Sequence, residues 1–410
     1  MTAAHNIPPV KNNSSNETFR KALNRRINFE REAEPNAGAF SQTIDIDLDL
    51  PGDETRALPN MPGYPVRSQA EAISHTKRLM AIGIGSVTYR LGGGLKTTGS
   101  EGYVYAPLLL NSGSDVALHD EYALIARHAE FYRLLRKAFP HGTLHIIADP
   151  FGVAPSLSDG AWGARGPSGE IDERKTKRLL EAIAIEFAGA GVDAILTMGR
   201  IEGEVEVTRA ALERSNSRTE IYAFSQNSES KAAYVYLDKI IKSDSYQKIL
   251  PGNTTEMKVR TILDIAAGAD VIVVKPADNF HVIQFTVDFL QEPDRAFSFL
   301  RETVETALYK DRPDIRESVE SLIRNESAFR KRANRVRVGT YTVSGTYFMD
   351  KLLERDKGES YLFNVEDERF RNIISILGSR LAFIIDRSSE WYVRQLRHVA
   401  LSSTNRFDVV

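Results

Sequence analysis

Eight short apolar runs, each followed by a stretch with helical periodicity, constrain this chain more than any other feature of its sequence. The runs are TIDIDLDL (43–50), GSVTYRL (85–91), LHIIADP (144–150), DAILTMG (193–199), EIYAFSQ (220–226), DVIVVKP (270–276), VGTYTVSG (338–345) and RLAFIID (380–386). Several are continuously apolar and β-branched, the composition of parallel strands buried on both faces. Between them, ERKTKRLLEAIAIEFAGAG (173–191) repeats its apolar residues at helical spacing, and Gly189 and Gly191 can end it. EMKVRTILDIAAGAD (256–270) repeats the design, with AGAD as a helix-to-strand turn. Eight strands separated by helices predict an α/β fold, a closed (β/α)₈ barrel of the TIM type. An open doubly wound sheet is the alternative.

The pattern also divides the chain. Residues 1–38 are rich in Asn, Ser, Pro and charge and read as an N-terminal arm, mobile or oligomer-docking. The barrel is expected over 39–400. Within it, a charged helical stretch over 284–335 reads as an insertion after strand six, on the face where barrel active sites form: a lid, an oligomer contact or a surface decoration.

Composition narrows the function classes. There is no cysteine, so disulfides, thiolate nucleophiles and Cys-ligated zinc are excluded, and a cytoplasmic location is expected. The first residues, MTAAHNIPPVKNNSSNETF, lack the apolar core of a secretory signal, and no apolar stretch reaches the roughly 20 residues that span a bilayer. A net charge of -2 gives no global field toward nucleic acid or a membrane, and the basic run Arg330–Arg337 reads as a solvated helix face. The eight histidines show no HxH or HExxH spacing, so no metal site is signalled.

The chemistry-bearing residues fall at strand ends. In VIVVKPA (271–277) a lysine closes an apolar strand. Desolvation there frees an amine to attack a carbonyl, which makes Lys275 a Schiff-base candidate; a salt-bridged rim lysine is the other reading. YTVSGTY (341–347) brings Ser344 to the same rim, to orient a carboxylate or a carbinolamine or to cap the next helix, with Tyr347 a contact or a packing residue. Asp149 and Asp386 end strands three and eight, as proton-handling carboxylates or as helix caps. Glu202 lies just beyond strand four and Arg209 on the helix after it. LGGGLKTTGSEG (91–102) matches no phosphate-binding spacing and reads as a loop.

These segments, in this order, resemble the porphobilinogen synthase (5-aminolevulinate dehydratase) family from about Leu58 to Asp386. LPNMPGYPVRS is similar to the family's MPGV segment, and DPFGVAPSLSDGAWG stands where it has DxCxCxYTxHGHCG. ILTMGRIEGEVEVTRAAL resembles APSxMMDGRVxAIRxAL, SYQ with NTTEM resembles YQMDPxNxxEA, ILDIAAGADVIVVKPA resembles xxDxxEGADxxMVKPA, and TYTVSGTYFMDK resembles AYQVSGEYAMIK. The resemblance implies a homo-oligomeric lyase that joins two 5-aminolevulinate molecules, each on its own lysine. It makes Lys275 one of those lysines, Ser344 and Gln247 carboxylate binders, and Asp149 the aspartate that opens the metal segment.

The departures imply a divergent member. The family's other lysine, in SYSxKxAS, is Asn227 here, within AFSQNSES; an amide cannot form an imine, so Asn227 joins Tyr347, Ser344 and Gln247 as substrate contacts. The zinc cysteines become Phe151, Val153 and Trp162, so no metal cofactor is expected. The expected function is therefore a Schiff-base condensing enzyme for an amino ketone or keto acid, suited to tetrapyrrole-like or specialised metabolism. The alternative is a non-catalytic relative serving as a binding or assembly subunit.

Overall fold

The eight runs become eight parallel strands in the computed structural model, which describes residues 34–58, 61–92, 121–150, 172–198, 201–227, 249, 252–306 and 309–404. In chain order they are β1 (Phe40–Asp47), β4 (Ser86–Gly92), β5 (His145–Asp149), β6 (Ala194–Leu196), β7 (Glu220–Asn227), β8 (Val271–Lys275), β9 (Arg337–Tyr341) and β10 (Leu381–Asp386). Each pairs with its sequence neighbour, and β10 also pairs with β1, so the sheet closes on itself. This is the expected (β/α)₈ barrel. A small hairpin, β2 (Thr55–Ala57) and β3 (Pro65–Arg67), extends from β1. The seventh run is shorter than expected: β9 stops at Tyr341, and Ser344 instead opens a helix.

The helices between strands are α1 (Gln69–Ala81), α2 (Glu121–Ala138), α3 (Glu173–Gly189), α4 (Glu204–Arg214) and α5 (Thr254–Ala267). Their starts follow capping chemistry: Ser68, Asp172 and Asn253 each accept a backbone N–H from the first turn. Between α5 and β8, Gly268 has φ +123, and a Cβ there would lie 2.9 Å from Cγ of Arg209, so the turn needs glycine on two counts.

Between β8 and β9 run four helices: α6 (Phe280–Gln291), α7 (Pro293–Val304), α8 (Pro313–Arg324) and α9 (Ser327–Ala333). Of these, α8 and α9 pack along α5 on the flank. Arg332 on α9 donates to the carbonyls of Gly268 and Ala269, at the end of β8 opposite Lys275. The chain then continues through α10 (Ser344–Lys357), α11 (Glu359–Leu377) and, after β10, α12 (Ser389–Thr404). Of the expected arm, residues 1–33 lie outside the described residues, as does most of the 91–102 loop. No described helix is long and apolar enough to cross a membrane.

Strand alternation splits the buried side chains into two layers. Ile44, Ile46, Val87, Tyr89, Ile146, Ile272 and Val274 join the outer core between sheet and helices. Ile147, Ala194, Leu196, Tyr222, Phe224, Val271, Val273, Tyr341 and Ile385 form a second core inside the barrel. That inner core is one-sided. Where β1 and β4 line the interior, the side chains are Ser41, Thr43, Asp45, Asp47, Ser86, Thr88 and Arg90, all buried. Ser41 shares hydrogen bonds with Thr88 (2.9 Å) and Ser86 (3.0 Å) along this polar wall. Beside it, Gln42 donates to the carbonyl of Arg387 (2.8 Å) and accepts from the N–H of Glu390 (2.8 Å), clasping β1 to the segment after β10.

Candidate active site

Lys275, Tyr341, Phe224, Asp149, Arg90 and Asp45 meet at the mouth of the barrel, where the apolar half of the interior faces the polar half. Lys275 ends β8, and only 8% of its surface is exposed. Its Nζ lies 4.8 Å from the ring centre of Tyr341 and 5.1 Å from that of Phe224. Two aromatic faces thus hold the amine at the apolar edge. The peptide bond to Pro276 is cis.

The Tyr341 hydroxyl donates to Oδ2 of Asp149 (3.2 Å). Burial, with the Asp149 carboxylate adding to it, pushes this hydroxyl well above the usual tyrosine range, so it stays a proton donor. Nε of Arg90 lies 3.3 Å from the same Asp149 oxygen, and its Nη1 lies 3.0 Å from Oδ1 of Asp45. Oδ2 of Asp45 is in turn 3.7 Å from Nε of Arg387. Arg387 is buried between the Tyr64 and Tyr341 rings, at 5.6 and 6.0 Å from their centres, and donates to the carbonyl of Thr342. Burial works to lower this guanidinium's affinity for its proton, but it is held above the usual arginine range, with the Asp45 carboxylate beside it. The mouth therefore carries a chain of alternating charge ending on a tyrosine that lies against the lysine.

Other expected residues distribute around this centre. Asn227 ends β7, and its Cα is the register partner of Lys275, so the two stand side by side on neighbouring strands. Ser344 is buried at the first turn of α10, whose N-terminus follows β9 at the mouth. Backbone N–H groups at such a terminus suit a carboxylate. Tyr347, one turn on, donates to the carbonyl of Pro62 (2.8 Å) and packs edge-on against Tyr64, placing it in the wall of the entrance. Asp386 accepts the N–H of Ser388 and is pushed upward by burial, a capping carboxylate at the start of the β10–α12 connection.

Glu202 and Arg209 are not brought to the mouth. Glu202 pairs with Arg260 on α5 (3.1 Å), and Arg209 pairs with Asp270 at the far end of the barrel. Gln247, Phe151, Val153 and Trp162 lie outside the described residues. Phe, Val and Trp carry no metal-ligating atom, so the donor set at those three positions does not fit the family's metal, and no step below uses one.

Asp45, Arg90, Phe224, Tyr341 and Arg387 are absent from the sequence-based list. A signal for the first existed: in IDIDLDL the carboxylates recur at every second residue, which puts Asp45 and Asp47 on one face of a strand.

The sequence matches the family model for delta-aminolevulinic acid dehydratase over residues 116–298. It is 25% identical over 264 residues to a probable chloroplastic delta-aminolevulinic acid dehydratase 2 of Arabidopsis thaliana, covering 62% of this chain and 60% of that protein. It is 33% identical over 119 residues to the delta-aminolevulinic acid dehydratase of Synechococcus elongatus, covering 28% of this chain and 36% of that one. These matches thus span less than two thirds of the relatives' length. Among solved structures, the porphobilinogen-bound delta-aminolevulinic acid dehydratase of Toxoplasma gondii superposes with a TM-score of 0.64 at 17% identity, covering 94% of this chain and 92% of that one. In sequence over residues 116–298, and in fold, this chain is similar to the delta-aminolevulinic acid dehydratase family, as a divergent relative.

Proposed function

We propose that this protein is a porphobilinogen synthase-like lyase that binds an amino ketone or keto acid, of the 5-aminolevulinate kind, as a Schiff base on Lys275. The observation that carries the reading is the buried Lys275 amine, held on two aromatic faces beside the Asp149–Tyr341–Arg90 chain. The neutral amine adds to the substrate carbonyl to give a carbinolamine. Loss of water then gives the protonated imine, the leaving hydroxide taking a proton from the site and the positive charge remaining on nitrogen. The imine acidifies the adjacent carbon, and Asp149, with Tyr341 donating to it, is the base that takes that proton. Ser344 and the first N–H groups of α10 hold the substrate carboxylate.

Asn227 beside Lys275 supports a one-imine mechanism: an amide hydrogen-bonds a second substrate but does not capture it covalently. The product then differs from that of a two-lysine enzyme, which suits a specialised branch of tetrapyrrole-like metabolism. The resemblance to this family supports a homo-oligomer with a small-molecule substrate; a cytoplasmic location is part of the same proposal, resting on the absence of cysteine.

A second reading, a non-catalytic binding or assembly subunit, draws on Asn227 and on the apolar Phe151, Val153 and Trp162. Borohydride trapping separates the two. The folded protein is incubated with 5-aminolevulinate and with a panel of small keto acids, reduced, and mapped by mass spectrometry. A reduced adduct on Lys275, absent from Lys275→Ala, is expected. No adduct on Lys275 with any compound leaves the subunit reading standing.

A further inference from the structure

The basic run Arg330–Arg337, expected to be a solvated helix face, is put to two different uses. Arg330 and Arg337 are paired, with Asp294 and Glu326 and with Glu220 respectively. Lys331, Arg332 and Arg335 instead line a cavity of about 530 Å³, whose floor is Ala266, Ala269, Ala328 and Val336 and whose one acidic lining residue is Asp270. Asp270 is already shared, because Arg209 and Arg332 both bond it and it accepts the N–H of Ile221 (2.9 Å). Nε of Arg332 is buried without a hydrogen-bond partner. Lys331 and Arg335 make no ion pair among the described residues, in a surface where the flanking arginines do. Three cations therefore converge on one concavity with a single, divided carboxylate against them. Burial, and the nearby Arg209 and Arg335, work to lower the proton affinity of the Arg332 guanidinium, an imbalance that a bound anion would relieve.

We propose that this cavity, formed by α5, α9 and the start of β8, binds a small phosphate-bearing ligand. Guanidinium forks pair bidentately with phosphate oxygens, and a phosphoryl group concentrates close to two charges in the space that three cations surround. The alanine and valine floor accepts an organic body, and the volume lies within the range of small-molecule sites. The cavity opens at the end of β8 remote from Lys275, about 16 Å away along the strand, so its ligand is not the substrate of the mouth.

Isothermal titration of the full chain with inorganic pyrophosphate and, separately, with adenosine diphosphate tests this in about 0.15 M salt. Saturable 1:1 binding of at least one probe is expected. Because Lys331 and Arg335 are exposed, the double variant Lys331→Ala/Arg335→Ala should fold as the parent does and bind at least tenfold more weakly. Lys275→Ala should bind as the parent does. Tighter binding of the nucleotide assigns a ligand with an organic body, and tighter binding of pyrophosphate assigns free phosphate. No saturation by either probe up to about 1 mM, undiminished affinity in the double variant, or loss of binding in Lys275→Ala each overturns the proposal.

Discussion

Replacing Asp149 by asparagine tests the buried charge chain at the mouth with almost no change of shape. Asp149 is 6% exposed and Arg90 is 3% exposed, so neither charge is screened by water. In Asp149→Asn the amide oxygen can still accept from Tyr341, and no cavity opens. What is lost is the charge 3.3 Å from Nε of Arg90. Removing one partner of a buried ion pair costs about 3–5 kcal/mol. Arg90 keeps Asp45 at 3.0 Å, so the low end applies, about 3 kcal/mol, or roughly 150-fold in the folding equilibrium. Equilibrium urea unfolding, followed by far-ultraviolet circular dichroism and by tryptophan fluorescence, reads this as a lower midpoint at unchanged slope. Adding Tyr341→Phe to the variant should cost less than the same change in the parent, because the hydroxyl then donates to an amide rather than a carboxylate. A midpoint shift worth less than about 1 kcal/mol, with the two changes simply additive, would show that Asp149 and Arg90 do not act as a pair.

Two further outcomes follow from geometry away from the lysine. At Gly339 in β9, an added Cβ would stand 3.0 Å from the backbone oxygen of Phe383 on β10; Gly339→Ala should lower stability by about 1–3 kcal/mol in thermal unfolding, and an unchanged midpoint would contradict that crowding. Burial above all raises Asp47 to about 6 and Asp264 to about 7, so each holds in the folded state a proton that the unfolded chain releases; their contribution to stability is full at low pH and is lost as pH rises through those values. Urea midpoints measured across that window should fall as pH rises, and Asp264→Asn should flatten the part near pH 7.

The barrel was legible because its signal is repeated eight times and local: buried strands read as β-branched runs, and helix ends read as caps and glycines. The mouth was only half legible. Lys275, Asp149 and Ser344 stand out because a polar residue closing an apolar run is unusual. Tyr341 and Phe224 do not, since an aromatic residue inside a strand looks the same whether it fills a core or carries a lysine on its face. Arg90, on β4, and Arg387, just after β10, come together only through strand pairings remote in sequence, with Asp45 of β1 as their common partner. The end of β9 was misjudged for a local reason: Thr342 and Val343 are β-branched like the strand before them, yet Val343 is already the N-cap of α10. The basic run misled because composition along a helix does not say which side chains turn toward a neighbour.

The one-sided interior has a bearing on how the chain finds its register. β1 carries Ser41, Thr43, Asp45 and Asp47 on one face and Ile44 and Ile46 on the other. A slip of one residue against β4 or β10 exchanges the two sets, driving two carboxylates into the greasy shell under the helices and two isoleucines into the company of Arg90 and Arg387. Every strand in a barrel faces that risk, but most offer apolar atoms to both sides and so penalise the error weakly. The strand that joins the two ends of the sheet is thus, like its neighbour β4, strongly held against misalignment, and the Gln42 clasp, spanning 345 residues, closes only on the correct alignment. Fidelity of closure is thus written into the strand at the seam by polarity as well as by packing.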